Sequence, residues 1–292
     1  MEKTRPNIIN NVKRLYLIGF PVGHSASPHI YNSVFKSCSI NARYEGLEVR
    51  SEDLANIIEA LRNKMCKGFN VTAPHKVKVM EYLDRLEHPS TIIGAVNTVV
   101  NDEDKLIGYN TDWIGFKKAL ERFTSKSSIR KVLILGAGGA ARAVIYALKD
   151  IAEELSIVSL SGTSAVKLAK EVKNWGLLET RGFKTDPTIL MCESSNVDLI
   201  VNATPLGCRP RTWKTPIPKE CLRGGVVVFD LVYNPLKTRL LREAEEVGCK
   251  TIDGLWMLVY QAVENLKLWF NLDVNVEELR KYGLEAIKGM GE

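Results

Sequence analysis

Four short polar clusters contain the side chains of this sequence that are best suited to chemistry. They are Gly23 to Pro28, Asn70 to Lys76, Gly94 to Thr98 and Asn110 to Asp112. A lysine ammonium can donate a proton to a substrate oxygen or stabilise negative charge on it, and a carboxylate can hold that ammonium in place. Hydroxyl and amide groups can bind a carboxylate or further hydroxyls. Each cluster alone is more typical of a helix cap or a turn, so its meaning depends on which clusters the fold brings together.

The segments between these clusters alternate between strand and helix patterns, which is typical of an α/β unit with a largely parallel sheet. Ligands of such sheets bind beyond the carboxyl ends of the strands, where the four clusters are expected to form a pocket. The predicted strands are Leu15 to Ile18, Arg43 to Val49, Gly68 to Val71 and Ala95 to Val100, and the predicted helices are Pro28 to Cys38, a segment capped by Ser51, and His75 to Leu83.

A second α/β unit is predicted to begin at Val132 to Leu135, an apolar strand followed at once by the glycine-rich run Gly136 to Ala141. Its Gly-x-Gly-x-x-Ala pattern lies between a strand and a helix, which is the context of a dinucleotide-binding loop. The helix N-terminus there would favour a pyrophosphate. Further strands are predicted at Leu155 to Leu160, Leu199 to Asn202 and Val226 to Asp230, and a long helix from Leu255 to Trp269.

The end of the second strand of this unit favours NADP over NAD. An NAD site usually has an acid there that binds the ribose 2′-hydroxyl. This chain has hydroxyls instead, at Ser159, Ser161 and Thr163, with Lys167 downstream and Arg142 on the preceding helix. These groups are suited to a 2′-phosphate, although they are also compatible with a solvated loop.

Composition places the chain among globular proteins. It has 292 residues, of which 45% are hydrophobic and 25% charged, and this length favours two domains. The net charge of +6 is spread along the chain, which argues for a small anionic ligand and against a nucleic-acid partner. Apolar runs are too short to span a membrane and no signal peptide is evident, so we expect a cytoplasmic protein.

Six cysteines and four histidines are scattered along the chain without metal-ligand spacing. We therefore expect free thiols and no metal. The expected partner is a small-molecule substrate, and the sequence leaves room for a homodimer.

Taken in order, the motifs resemble the shikimate dehydrogenase family over nearly the whole chain. The resemblance implies an N-terminal substrate domain and a Rossmann-like doubly wound dinucleotide-binding domain, with C-terminal helices that return to the first. We accordingly predict a substrate domain of residues 1–112 completed by 253–292, and a cofactor domain of residues 113–252. The matching segments are Gly19 to Pro28, Asn70 to Lys76, Gly94 to Thr98, Asn110 to Asp112, Gly136 to Arg142, Val201 to Gly207, Asp230 to Pro235 and Asp253 to Ala262.

The resemblance implies an enzyme that reversibly reduces 3-dehydroshikimate to shikimate with NADPH, in aromatic amino acid biosynthesis. Lys76 and Asp112 look like its catalytic pair, with Lys76 as proton donor or electrostatic stabiliser at the developing alkoxide. Ser25 and Ser27 would bind the substrate carboxylate. The pocket would be lined further by Thr72, Asn97, Tyr233 and Gln261.

Cofactor binding is carried over in the same way. The resemblance places Asn202, Thr204 and Gly254 near the nicotinamide end. The predicted remainder of the cofactor site is the glycine loop and the loop after the second strand, namely Gly136, Ala137, Gly138, Gly139, Ala140, Ser159, Ser161 and Thr163.

Three positions depart from the family pattern. The family's second cofactor strand commonly ends in Asn-Arg-Thr, and no arginine is present in the stretch from Ser159 to Thr163. Trp256 replaces a glycine where the resemblance implies the nicotinamide pocket, and Cys208 replaces a methionine. These departures concern cofactor preference and pocket shape and leave the reaction unchanged.

Other functions remain open at this stage. A dual-specificity quinate/shikimate dehydrogenase would have the same motifs. A non-catalytic ligand-sensing homologue would keep the fold but would not need both Lys76 and Asp112. A reductase acting on an RNA-linked acyl group would need a nucleophile in the first domain, where Cys38 and Cys66 lie within helix and strand patterns.

Overall fold

The computed structural model describes residues 12–125, 128–176 and 179–290, which contain two six-stranded sheets with helices packed on them. Both halves of the molecule are α/β, as the sequence predicts. The first sheet has the strand order β2-β1-β3-β5-β6-β4. Its strands are β1 (Lys13–Gly19), β2 (Ala42–Glu48), β3 (Cys66–Val71), β4 (Arg85–Leu86), β5 (Thr98–Asp102) and β6 (Lys105–Tyr109).

The first sheet is largely parallel, as predicted, with β5 as the exception: β1 pairs parallel with β2 and β3, and β4 pairs parallel with β6. Strand β5 is antiparallel to both β3 and β6. The reason is a tight hairpin at Glu103 and Asp104, whose φ angles of 49° and 67° match the twist of antiparallel strands. The turn has no Asn-Gly or Asp-Gly pair, so the sequence pattern gave no signal for the hairpin or for β6.

Four helices belong to the first part of the chain: α1 (Ser27–Ser37), α2 (Leu54–Leu61), α3 (Ser90–Ile93) and α4 (Asp112–Phe123). Two predictions here are wrong. Asp53, not Ser51, is the residue that precedes α2, because a turn at Arg50 delays the helix. The segment from His75 is a turn followed by a 3₁₀ helix (Lys78–Tyr82), because the Lys76 carbonyl accepts the Val96 N–H (2.7 Å).

The second sheet is parallel throughout, with the order β12-β11-β10-β7-β8-β9. Read from its opposite edge, this is the 3-2-1-4-5-6 order of the doubly wound dinucleotide-binding fold. The strands are β7 (Lys131–Leu135), β8 (Glu154–Ser159), β9 (Glu179–Lys184), β10 (Leu199–Asn202), β11 (Val227–Asp230) and β12 (Lys250–Ile252), and the helices are α5 (Gly139–Leu148), α6 (Thr163–Val172), α7 (Pro187–Ser194) and α8 (Arg239–Glu246).

The chain ends in α9 (Gly254–Phe270) and α10 (Val276–Gly289), which pack on the first unit as the sequence predicts. The buried Trp269 indole of α9 donates to the Val99 carbonyl of β5 (3.0 Å), and its ring lies edge-on to Tyr31 of α1. Helix α4 contacts both α9 and α5, and its Phe116 stacks on Phe229 of β11 at 4.9 Å. These apolar contacts join the two sheets around the crevice between them.

Within the described ranges, no helix combines the length and apolar character that crossing a membrane requires.

Candidate active site

A cavity of about 220 Å³ lies between the two sheets. Its lining comes from both units and from α9, including Ala140 of the glycine loop, Leu231 and Met257. The eight residues predicted to bind substrate or do chemistry all line it, although they are widely separated in the sequence. They are Ser25, Ser27, Thr72, Lys76, Asn97, Asp112, Tyr233 and Gln261.

Lys76 and Asp112 form an ion pair within this cavity, with 2.5 Å between Nζ and Oδ2. The lysine side chain is 17% exposed and the aspartate 7%, so both charges are largely removed from bulk water. Asp112 is the first residue of α4, where the helix dipole favours a carboxylate. Because an ammonium has three protons and Asp112 binds one, Lys76 keeps protons for a ligand in the cavity.

Backbone and packing contacts hold Lys76 at the boundary between the two units. The neighbouring His75 is buried, with Nε2 at 2.7 Å from the Val49 carbonyl. From the second unit, Gly139 approaches so closely that a Cβ there would lie 2.8 Å from the Lys76 Cβ. The glycine loop and the candidate catalytic lysine are therefore in direct contact, which requires a residue without a side chain at Gly139.

Asn97 joins the ion pair to the rest of the pocket. Its Nδ2 donates to Asp112 Oδ1 and to Thr111 Oγ1, both at 2.9 Å, and lies 3.4 Å from Gln261 Oε1. Its Oδ1 accepts the Thr111 backbone N–H at 2.6 Å. Asp112 thus accepts hydrogen bonds on both carboxylate oxygens. This fixes the orientation of the carboxylate and therefore the position of the Lys76 ammonium that it binds.

A hydroxyl cluster lies at the other side of the cavity, before and at the start of α1. Ser25 Oγ accepts the backbone N–H of Ser27 (3.3 Å) and the hydroxyl of Tyr233 (3.4 Å). Burial raises the pKa of Tyr233, so its phenol stays protonated and remains a donor. Ser27 begins α1 without capping it through its side chain, and Pro28 follows at the first turn. The segment is therefore more than a helix cap, because it presents hydroxyls into the cavity.

The glycine loop fits the pyrophosphate of a dinucleotide. Gly136 has φ of +113°, and a side chain there would meet the Ala203 carbonyl at 2.9 Å. Beyond Gly138 no atom lies within 4 Å of where a Cβ would be, so the backbone faces open space. Helix α5 starts directly after it with no acidic residue in its first turn. Free N–H groups and a positive helix end facing open space are the donor set that a pyrophosphate needs.

The loop after β8 is a less complete phosphate site than the glycine loop is. The Ser159 hydroxyl is buried and has no hydrogen-bond partner among the described residues. Ser161 Oγ donates to Ser164 Oγ (2.9 Å), and the Thr163 hydroxyl donates to the Ser161 carbonyl (3.3 Å). Leu160, which directly follows β8, is 78% exposed.

The cations near this loop differ from those expected. Arg142 is not directed at a 2′-phosphate, because its guanidinium pairs with Glu171 (2.6 Å) and donates to the Ile93 carbonyl (3.3 Å). Lys167 is exposed on α6. Lys184, which is not among the predicted site residues, ends β9 beside Ser159, and its Cβ packs 2.8 Å from where a Gly162 Cβ would lie. It was missed because β9 itself was not predicted.

A buried acid outside the predicted site organises the loop that contains Asn202 and Thr204. Asp230 is fully buried and accepts from Asn202 Nδ2 (2.8 Å), the Val232 N–H (3.0 Å) and the Thr238 hydroxyl (2.6 Å). Burial raises its pKa to about 7, although these donors act in the opposite direction. Asn202 in turn accepts the hydroxyl and N–H of Thr204. The sequence signal that could have identified Asp230 is an acid at the carboxyl end of an apolar strand.

Two residues that depart from the family pattern, Trp256 and Cys208, lie outside the lining of the cavity. Trp256 does not line the cavity. Its ring lies between the guanidinium groups of Arg122 and Arg280, at 4.1 and 4.0 Å, because successive residues of α9 point to different faces. Cys208 is partly buried outside the lining. Gly254 does line it, and a Cβ there would meet the Leu231 carbonyl at 2.3 Å.

The chain is similar to known proteins over nearly its whole length. Residues 17–99 match the family model of the shikimate dehydrogenase substrate binding domain, and residues 254–281 that of the shikimate 5'-dehydrogenase C-terminal domain. A Pyrococcus furiosus protein named shikimate dehydrogenase (NADP(+)) is 44% identical over 282 residues, which cover 96% of this chain and 99% of that protein.

Solved structures are similar over the same extent. A crystal structure of shikimate dehydrogenase in complex with NADP+ has a TM-score of 0.86 and 38% identity, covering 94% of this chain and 96% of its own. Shikimate 5-dehydrogenase from Thermus thermophilus, in complex with NADP(H) and shikimate, has a TM-score of 0.81 and 32% identity, covering 94% and 99%.

Proposed function

The chain belongs to the shikimate dehydrogenase family, and on this basis we propose that it is an NADP-dependent shikimate dehydrogenase of aromatic amino acid biosynthesis. The reaction is the reversible reduction of 3-dehydroshikimate to shikimate. The observation that carries the proposal is the Lys76–Asp112 ion pair, which lies in one cavity with the hydroxyl cluster and directly against the glycine loop.

Bound NADPH would supply the hydride, which is chemistry that no side chain can provide. The residues that would hold the cofactor are those of the glycine loop and of the loop after β8, with Asn202, Thr204 and Gly254 at the nicotinamide end. The open backbone at Gly138 and the free first turn of α5 support this assignment.

Lys76 is the proposed proton donor. In the reductive direction negative charge grows on the ketone oxygen, and an ammonium in a largely desolvated cavity stabilises that charge strongly. Asp112 accepts one hydrogen bond from Lys76 Nζ and another from Asn97, so it orients the ammonium rather than reacting. In the oxidative direction Lys76 receives the proton of the substrate hydroxyl.

Substrate orientation is assigned to the remaining lining residues. Ser25 and Ser27 would donate to the carboxylate, with the Tyr233 phenol holding Ser25 in place. Thr72, Asn97 and Gln261 would bind the ring hydroxyls, since their hydroxyl and amide groups can both donate and accept. Both ends of the substrate would then be held while the reacting carbon faces the cofactor side of the cavity.

We also propose that residues 1–112 with 253–292 form the substrate domain and that 113–252 form the cofactor domain. The packing of α9 and α10 on the first unit supports this discontinuous arrangement. A cytoplasmic location is proposed, in keeping with a small polar substrate and a nicotinamide cofactor, and a homodimer remains a prediction to be checked by light scattering.

The proposal is tested by assaying the purified protein with shikimate or quinate, each combined with NADP+ or NAD+, and following the reduced nicotinamide by absorbance. We expect the highest kcat/KM with shikimate and NADP+. Binding of shikimate by calorimetry without turnover would instead identify a ligand-sensing homologue. Comparable turnover of quinate would identify the dual-specificity enzyme.

A further inference from the structure

Asn265 lies directly beneath the cavity without lining it. It is on α9, one turn after Gln261, and is fully buried. A fully buried asparagine needs partners for its amide, because an unpaired buried amide is costly. The partners it has are all side chains close to the candidate active site.

Four hydrogen bonds use the full capacity of the Asn265 amide. Its Oδ1 accepts from Thr98 Oγ1 and Thr111 Oγ1, each at 2.8 Å. Its Nδ2 donates to Tyr31 Oη and to Gln261 Oε1, each also at 2.8 Å. Two acceptor sites and two protons are all that an amide offers, so none is left unpaired.

The direction of these hydrogen bonds follows from the other side chains that donate to the two threonine hydroxyls. Asn70 Nδ2 donates to Thr98 Oγ1 (3.0 Å), and Asn97 Nδ2 donates to Thr111 Oγ1 (2.9 Å). Each hydroxyl has one proton, and Asn265 Oδ1 at 2.8 Å is the nearest acceptor for both. The alternatives are longer, at 3.1 Å between the two threonine hydroxyls and 3.3 Å from Thr111 Oγ1 to Asn97 Oδ1. The oxygen end of the Asn265 amide must therefore face the threonines, and its nitrogen end must face Gln261.

This arrangement determines how Gln261 faces the cavity. With Oε1 bound to Asn265, the Nε2 of Gln261 donates one proton to the Leu258 carbonyl (2.8 Å) and keeps the other. The inverted amide would place Oε1 against that carbonyl and Nε2 against the nitrogen of Asn265. Both contacts would be repulsive, so only one orientation of Gln261 is compatible with Asn265.

We propose that Asn265 is a positioning residue that locks the Gln261 amide with its N–H toward the substrate and so sets the affinity for the substrate's ring hydroxyls. This inference rests on the proposed function. It concerns ground-state binding, because Gln261 would contact a part of the substrate that does not change in the reaction.

The test uses the whole 292-residue chain with two substitutions that keep the branched shape of the asparagine side chain. Asn265→Leu removes all four hydrogen bonds, and Asn265→Asp removes only the two donated ones, which frees Gln261 to invert. For each we expect the KM for shikimate to rise about tenfold, with kcat within about threefold, since one oriented hydrogen bond is lost. The KM for NADP+ should not change.

Asn101→Leu is the matched control. Asn101 is also buried in the first unit, but its amide donates to the Leu61 and Asn63 carbonyls, outside the cavity lining. It should lower the melting temperature without changing the KM for shikimate. If Asn265→Leu does not fold, Asn265→Asp and the smaller Asn265→Ala provide the comparison.

A double-mutant cycle with Gln261→Ala separates positioning from a merely structural role. If Asn265 acts through Gln261, its substitution should raise KM little further once the Gln261 amide is absent. Additive effects, or a folded Asn265 variant with the parent KM, would overturn the inference while leaving the proposed function intact. A parent protein without shikimate oxidation would instead overturn the proposed function and this inference with it.

Discussion

The two ends of the candidate site differ in how their polar groups are held. On the substrate side, Lys76, Asp112, Asn97, Gln261 and Asn265 form one connected and buried hydrogen-bond network. On the cofactor side, the loop after β8 is exposed and its serines bond mainly to each other. Desolvated groups bind strongly and are little affected by salt, whereas exposed groups bind weakly through screened solvent.

This difference indicates how each end of the site contributes to selectivity for its ligand. Discrimination between substrates comes from groups whose orientation is set by several partners. Discrimination between NADP and NAD is expected to depend on the loop after β8, which contains no arginine and exposes Leu160. We therefore expect stringent substrate recognition together with modest cofactor preference, and the following experiments are designed to test this contrast.

The largest effect is expected at Lys76. Lys76→Ala should lower kcat by about 10²–10⁴-fold with little change in the KM for shikimate, because the ammonium acts mainly in the transition state. Lys78→Ala is the matched control, since Lys78 is a nearby exposed lysine that pairs with Glu81. Near-normal kcat with a raised KM in Lys76→Ala would show that Lys76 only binds substrate.

The second largest effect is expected on the preference for NADP+ over NAD+. The parent should prefer NADP+ over NAD+ by kcat/KM, and this preference should weaken as ionic strength rises, because exposed cations such as Lys167 and Lys184 are screened. Ser161→Asp should reverse the preference, since a carboxylate repels the 2′-phosphate and accepts from a free ribose hydroxyl.

Two comparisons show whether that effect is local. Ser128→Asp adds the same charge at an exposed position before β7, at the opposite end of the sheet, and should leave the preference unchanged. The affinity of each variant for 2′,5′-ADP and for ADP, measured by calorimetry, reports the phosphate contact without turnover. A parent faster with NAD+ at low salt would contradict the assignment of this loop.

Smaller effects are expected at the carboxylate end of the substrate pocket. Ser25→Ala or Ser27→Ala should weaken shikimate binding by about 0.5–1.5 kcal/mol, the usual loss for one hydrogen bond, or by up to about 3 kcal/mol if its partner is charged and desolvated. Unlike the cofactor preference, this binding should depend little on salt. Steady-state KM values at two ionic strengths provide the measurement, and parent-like values would return the segment to a structural role.

Asp230 should make the free energy of unfolding depend on pH. Its folded pKa is about 7 against an ordinary value of 3.8, so between these values the folded protein holds a proton that the unfolded chain has released. Rising pH therefore lowers the free energy of unfolding in this range, by at most about 1.4 kcal/mol per pH unit, and has no further effect above it.

The isosteric Asp230→Asn tests this directly. Urea unfolding at a series of pH values should show that the stability of the variant, relative to the parent, rises as pH increases toward about 7 and is then constant, since the variant has no proton to lose. Parallel stability curves for the two proteins would show that Asp230 does not titrate in this range.

Many elements of the fold were predictable because their signals are local. The apolar runs of β7, β10 and β11 were found nearly to the residue, since a buried strand followed by glycine or polar residues has few alternative interpretations. Elements without such a pattern were missed. Strand β6 was missed because its hairpin with β5 has no Asn-Gly or Asp-Gly turn. Strand β9 and the turn at His75 depend on partners elsewhere in the chain, such as the Val96 N–H that donates to the Lys76 carbonyl.

Residue types in a particular order were enough to indicate the family, the glycine loop and eight of the residues that line the cavity. Which side chains touch depends on how the helices and sheets pack. This packing placed Trp256 between two arginines instead of in the pocket, directed Arg142 to Glu171, and seated Asn265 beneath Gln261. The physical reason is that a helix assigns each position to a face, and only the packing of α9 on the first unit determines what each face meets.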